Sequence, residues 1–172
     1  MGARALVLGA VLGRQFRWQT LLELFEAAGL PRGDRLLLDL IRRGLLVPMG
    51  PSGTLTFPWG GLWRAATEES RQQGHLMEDQ RLAGGLDALL LMPETRARLH
   101  LAGGEAGLGT DALLIAAECR RRLGEISGAR ALCRARQKVL ERKPEAREAE
   151  SYGVGLILEA RLALQGEDLQ GA

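Results

Sequence analysis

The side chains from which chemistry could be assembled are few: two histidines, two cysteines and scattered carboxylates among 23 basic residues. Acid–base catalysis needs a proton-transfer group within hydrogen-bond reach of its partner, and metal binding needs several His, Cys or carboxylate ligands at characteristic spacings. His75 follows Gly74 at a joint between two helical stretches, where a surface or capping role is expected. His100, between Leu99 and Leu101, reads as partly buried structure. Cys119 and Cys133 stand 14 residues apart without a C-x-x-C pair or a His cluster, and read as reduced, mostly buried thiols. Glu68-Glu69 and Glu148/Glu150 read as carboxylates of helix surfaces. No nucleophile–base pair, ligand cluster or G-x-x-x-x-G-K-[ST] phosphate loop occurs. The sequence therefore implies no catalytic residue, no metal and no cofactor, and a protein that is not an enzyme.

What remains is recognition chemistry. Arg130, Arg134, Lys138 and Arg142 recur every four residues, which puts them on one ridge of a helix over 125–142. With Arg120-Arg121-Arg122 they give nine basic against three acidic residues between Glu118 and Lys143. The ridge is the best patch for an acidic protein partner or phosphate, although a solvated face steadied by Glu141 and Glu145 is the simpler reading. Trp18, Trp59 and Trp63 are expected as anchors of the core or of a domain joint. Trp59 and Trp63 share a face if their helix begins by Trp59, and exposure of that face would mark a partner site.

The elements that carry these groups are mostly helices. The chain is 46% apolar but only 4% aromatic, so Leu and Ala must do most of the packing. Arg4 followed by the apolar run Ala5–Gly13 mimics a signal peptide. The run ends at Arg14-Gln15-Phe16-Arg17 without a small-residue cleavage site, however, and falls far short of the ~20 residues that span a bilayer. Leu6 also stands where a myristoylation signal wants Ser or Thr. A core helix of a cytoplasmic protein is the expectation, with no membrane role.

"TLLELFEAAGLP" then spaces Leu21, Leu22, Leu24, Phe25 and Ala28 as a second helix stopped by Gly29. "GDRLLLDLIRRGL" reads as a third, with Asp34 as N-cap, a stripe at Leu37, Leu40 and Ile41, and Gly44 at its end. Leu45–Met49, the turn Gly50–Gly53 and "TLTF" up to Phe57 form a β-hairpin signal. Three helices followed by a hairpin is the winged-helix order. Beyond Pro58 only helices are expected: one ending near Gly74, one bent at Gly84-Gly85, one from Pro93 to Gly103-Gly104, then 110–123, 125–142 and 145–165. "GEISGA" at 124–129 and "GEDLQGA" at 166–172 repeat each other, with Ala129 and Ala172 43 residues apart. Such a repeat suits helical hairpins that turn at a glycine and cross closely at a small residue. Leu113, Ala116 and Ala117 would line the first helix of a pair, and Ala129 and Cys133 the second. A second pair would be cut off at Ala172, and an array of hairpins cannot cover its last apolar face alone, so the chain is expected to be a piece of a longer protein.

These segments resemble a known family. "LVLGAVLGRQFRWQTLLELF" is similar to the opening of the winged-helix region in STAND-type regulatory ATPases, such as the large LuxR-type transcriptional regulators and bacterial ATPase modules fused to kinases or nucleotide cyclases. "LLDLIRRGLLVPMGPSGTLTF" resembles their following helix and wing, "RARLHLAGGEA" (96–106) their next helix, and "RRLGEISGARALCRARQKVLE" their tetratricopeptide-like repeats. The nucleotide-binding core that precedes the winged helix in that family has no counterpart in these residues. The family's Phe-x-His after the second wing strand is here Phe57-Pro58-Trp59, so the residue that would sense nucleotide is replaced by Trp59.

The resulting expectation is a mainly α protein: a winged-helix-like unit with a small β-hairpin over 1–58, then antiparallel, tetratricopeptide-like helical hairpins over 59–172. Its function would be that of a non-enzymatic regulatory and protein-interaction module, with Arg130, Arg134, Lys138, Arg142, Trp59 and Trp63 as contacts. The alternative is a DNA-binding winged-helix transcription factor using Arg35, Arg42, Arg43 and the wing Pro51-Ser52-Gly53. Charge argues against it: residues 1–60 carry seven basic and four acidic side chains, a net of only +3. The third helix also spends Leu36, Leu37, Leu38, Leu40 and Ile41 on apolar positions and sets Asp39 among the phosphates.

Overall fold

The computed structural model describes residues 2–148 and 151–167. The chain is mainly α-helical with one small antiparallel sheet, and it divides into two compact units. One comprises the chain up to Leu91 with Ala102–Gly104; the other comprises Met92–Leu101 and the chain from Glu105 on.

The first unit begins with α1 (Gly2–Leu12), β1 (Gln15–Arg17), α2 (Trp18–Ala27) and α3 (Gly33–Arg42). Next come β2 (Val47–Met49), a 3-10 turn at Gly50–Ser52 and β3 (Thr54–Thr56), then α4 (Gly60–Gln72) and α5 (Leu76–Gly84). The run that mimics a signal peptide is the axis of this unit. Ala5 and every residue from Val7 to Leu12 are buried, because α2, α3, α4 and α5 all pack on α1. A helix apolar on all sides belongs inside a core. Among the described residues no helix is long and apolar enough to cross a membrane.

The sheet order is β1-β3-β2, both pairs antiparallel, with Phe16, Leu55 and Pro48 in one rung. Up to β3 the elements thus run helix–strand–helix–helix–strand–strand, and the expected two-stranded hairpin has a third strand. Three residues at the Arg14–Arg17 break carry no readable alternation. They pair because Phe16 turns inward and meets Phe57 edge-on, ring centroids 6.0 Å apart. A Cβ on Gly9 would stand 3.2 Å from the Phe16 ring, so α1 approaches the sheet at its glycine.

Helix ends follow the glycines. At α2 and α3 the chain turns through Gly29 and Gly44, both at φ +68, and the next amide bonds back to Phe25 and Leu40, respectively. The start of α3 differs from expectation. Asp34 lies in the first turn, and the cap position falls to Arg32, in the left-handed region at φ 58 with no side-chain cap bond. Packing outweighs capping here: a Cβ on Gly33 would lie 3.3 Å from Phe25, so the backbone closes on α2 two residues early. Helix α5 stops at Gly84 instead of bending there. The segment beyond it is held by the Thr20 hydroxyl, which donates to the Leu90 carbonyl at 3.0 Å.

The expected boundary at 58/59 lies inside this compact unit, which continues to Leu91 and takes in Ala102–Gly104. Two polar ties hold α4 and α5 to α1. Asp79, fully buried, accepts from both terminal nitrogens of Arg4 and from the Ser70 hydroxyl at 3.0 Å. The Trp63 indole N–H donates at 2.9 Å to the Ala10 carbonyl near the end of α1, which also accepts from the Gly13 amide at 3.2 Å.

The second unit contains α6 (Pro93–Ala102) up to Leu101, then α7 (Ala106–Arg122), α8 (Ile126–Arg142), a 3-10 turn at Pro144–Glu148 and α9 (Ser151–Glu167). Where the helix expected over 145–165 would begin, the chain forms a 3-10 turn instead. Helices α7 and α8 form the expected hairpin, turning at Gly124 (φ +79). Leu113, Ala116, Ala117, Ala129 and Cys133 are all buried, and Leu114, Leu158 and Leu162 join the core. Small residues set the close approaches: a Cβ on Gly109 would fall 2.5 Å from Leu101, and one on Gly155 would run into the Arg136 guanidinium. Arg136 is the largest fully buried side chain, with Glu159 at 3.9 Å. Of the repeat at 166–172, residues 168–172 lie outside the described residues, as does Glu150. Cys133 is buried as expected but Cys119 is exposed.

Two outcomes follow. Asp79→Ala leaves the Arg4 charge without its buried partner and lowers stability by about 3 kcal/mol, measured by urea unfolding. In the native state one thiol per chain reacts with an aromatic disulfide reagent, and it is Cys119. Burial foremost, and the nearby Glu159 carboxylate, push the Cys133 thiol pKa up, so it reacts only on unfolding.

Candidate functional site

Helix α3 carries more large apolar residues than its buried face can use. Leu37 and Leu40 turn into the core, while Leu38 is left 51% exposed. Between this helix and the hairpin runs an apolar groove of about 340 Å³, walled by Trp18, Leu37, Leu38, Ile41, Pro48 and Leu55. Strand register explains the hairpin wall: Pro48 pairs with the buried Leu55 and so lies on the same sheet face, while staying exposed like Val47 and Met49 beside it. Asp34 is the one charged residue of the lining.

Trp18 is seated by the wing. Its backbone N–H donates to the Gly53 carbonyl at 2.9 Å, and its indole lies so close that a Cβ on Gly53 would stand 2.6 Å from Nε1. Gly53 also has φ +69, so this position excludes a side chain on two grounds. The indole stays 39% exposed.

The charges beside the groove are sorted. Arg43 donates through Nε to Asp39 at 3.0 Å, four residues back, which closes that pair. Arg35 and Arg42 are exposed, and neither takes an ion-pair partner among the described residues. With Leu38 they form one helical stripe at spacings of three and four residues. Of the three cations expected to meet DNA, one is engaged and two flank a leucine.

The other expected contacts are dispersed. Trp59 precedes α4 in an extended conformation (φ −129, ψ 138) and is 64% exposed, whereas Trp63 lies within the helix and donates to α1, so the two do not share a helix face. On α8, Arg130 donates to the Leu162 carbonyl at 2.6 Å and serves as an internal tie, which leaves Arg134, Lys138 and Arg142 as the exposed ridge. The arginine triplet is compensated within its own unit. Arg120 binds Glu94 at 2.8 Å and also Glu125, while Arg121 and Arg122 share Glu118. Hydrogen bonds from Arg121 and then Arg122 hold the Glu118 carboxyl at about 2. His100 is buried with Nδ1 2.7 Å from the Glu105 carboxylate, and His75 is exposed. No cluster of three or more metal-ligating side chains occurs among the described residues.

The groove is the site that reading the chain linearly misses, although a signal was present. Leu36-Leu37-Leu38 with Ile41 is too apolar for a helix with one buried stripe. Its second wall, Pro48 and Trp18, comes from sequence positions too distant for periodicity to link. No family model matches this chain, nor does any curated protein or solved structure.

Gly53→Ala tests the seat of Trp18. It forces a side chain into a left-handed position and against the indole, costing about 1–3 kcal/mol in thermal unfolding and shifting the tryptophan emission as the ring is displaced.

Proposed function

We propose that this chain is a regulatory, protein-docking module of a cytoplasmic STAND-like signalling or transcription-regulating protein, and that its winged helix binds protein through the α3–hairpin groove. The observation that carries the reading is the apolar, partly exposed wall of Trp18, Leu38, Ile41 and Pro48 on the face a DNA-reading winged helix would turn to the major groove. Base edges are read by donors and acceptors, and Leu38 offers neither. An exposed apolar surface rimmed by charge suits a protein contact. The resemblance of the segments at 6–25 and 37–57 to STAND-type regulators supports the regulatory setting. The helical hairpin α7–α8 and its ridge Arg134, Lys138 and Arg142 supply a second contact surface.

DNA binding is the second reading, favoured by the two uncompensated arginines, Arg35 and Arg42. The two readings separate cleanly. A photo-reactive residue at position 38 is expected to give polypeptide adducts in cells, absent when the same group is placed at position 23 on exposed α2 surface. Duplex binding to the purified chain is expected to be weak at all salt concentrations. An affinity that falls steeply with salt, by a log–log slope of about 0.9 per phosphate contacted, with no adducts at position 38, would establish the DNA reading instead.

A further inference from the structure

Resting on the docking reading above, we infer that the occupant of the α3–hairpin groove is an amphipathic helix of a protein partner. It places an apolar stripe in the groove and two carboxylates, seven residues apart, on Arg35 and Arg42.

The form of the occupant follows from the hairpin wall. β2 is an edge strand of the sheet, and an extended partner would normally add to such an edge through its outward N–H and C=O groups. The central residue of β2 is Pro48, which has no N–H to give, so strand addition is blocked at its middle. A helix makes its own backbone hydrogen bonds and needs only a trough for side chains at i, i+3 or i+4, and i+7. The groove supplies that trough, with apolar walls from α3 on one side and Pro48 and Leu55 on the other.

Its charge follows from α3. Arg35 and Arg42 are seven residues apart, roughly 10 Å along the helix axis, on the flank beside Leu38. A helix laid along α3 repeats that distance at the same seven-residue spacing, so two carboxylates one heptad apart meet both cations together. On the side of Arg35 and Arg42 away from Leu38, the neighbouring carboxylate of Asp39 is already engaged by Arg43. Asp34, at the α3 N-terminal end of the groove, repels acid there and restricts the carboxylates to the Arg35–Arg42 flank. Nucleic acid would also meet the two arginines, but its phosphates gain nothing from an apolar trough carrying one carboxylate.

The test is a displayed library of single-helix peptides with randomised surface positions, panned on the full chain and counter-panned on Leu38→Asp. Enriched sequences are expected to carry an apolar stripe and an acidic pair seven residues apart. Their affinity, read by anisotropy of labelled peptide, should fall tenfold or more on Arg35→Glu/Arg42→Glu and return when the two acids of the peptide become lysines. All three positions are exposed, so the variants keep the parent's melting temperature, checked by circular dichroism. Enriched helices without the acidic pair, or indifferent to the charge reversal, overturn the inference and leave the docking reading standing. No peptide that depends on Leu38 would overturn both. A labelled DNA duplex whose binding needs Arg35 and Arg42 but not Leu38 would assign the surface to nucleic acid.

Discussion

A carboxylate with no access to water organises the first unit. Asp79 is fully buried and meets the Arg4 guanidinium and the Ser70 hydroxyl, so three helices, α1, α4 and α5, are joined at one charged point. An unpaired buried charge costs several kcal/mol, whereas a core of apolar contacts alone loses its uniqueness before its stability. The clamp therefore specifies register more than it adds stability. In a core made largely of Leu, Ala and Val, which offer many nearly equivalent packings, that specification is what the apolar residues cannot supply. It also explains why α4 and α5 belong with the helices before the hairpin.

The groove lies downstream of that register. With α1 held, Gly9 faces Phe16 and Phe57, and the two rings draw β1 onto β3. The sheet then presents Leu55 and Pro48 on one face and carries Gly53 to the indole of Trp18. Only when all of these are in place do Leu38 and Ile41 become one wall of a trough. In the second unit the ordering principle differs. Close approaches at Gly109, Ala117, Ala129 and Gly155 set the helix spacing, and Arg136 fills the space that Gly155 leaves.

Local charge density is a poor guide to where this protein has electrostatic force to spare. The densest cationic run, Arg120 to Arg122, is compensated by Glu94, Glu118 and Glu125, and Arg130 is spent on backbone carbonyls of α9. Arg35 and Arg42, less conspicuous in sequence, are uncompensated. Geometry makes the difference: carboxylates at three to five residues, or across a helix pair, reach the triplet, while the nearest acid to Arg42 on α3 already holds Arg43.

By itself the sequence determined the helical class, most helix ends and the helix–hairpin order, because 3.6-residue periodicity and left-handed glycines such as Gly29, Gly44 and Gly124 act locally. It also determined the close-packed positions of the α7–α8 hairpin, since small residues at a crossing are legible as Ala116, Ala117 and Ala129. Tertiary structure alone decided the third strand, the early start of α3 at Gly33, the extent of the first unit and the groove. Each of these depends on contacts between residues far apart in the chain: Phe16 with Phe57, Gly33 with Phe25, Arg4 with Asp79, and Trp18 with Gly53. Periodicity reports which face of an element is apolar, but not which partner covers it, and the described residues leave Leu38 half exposed.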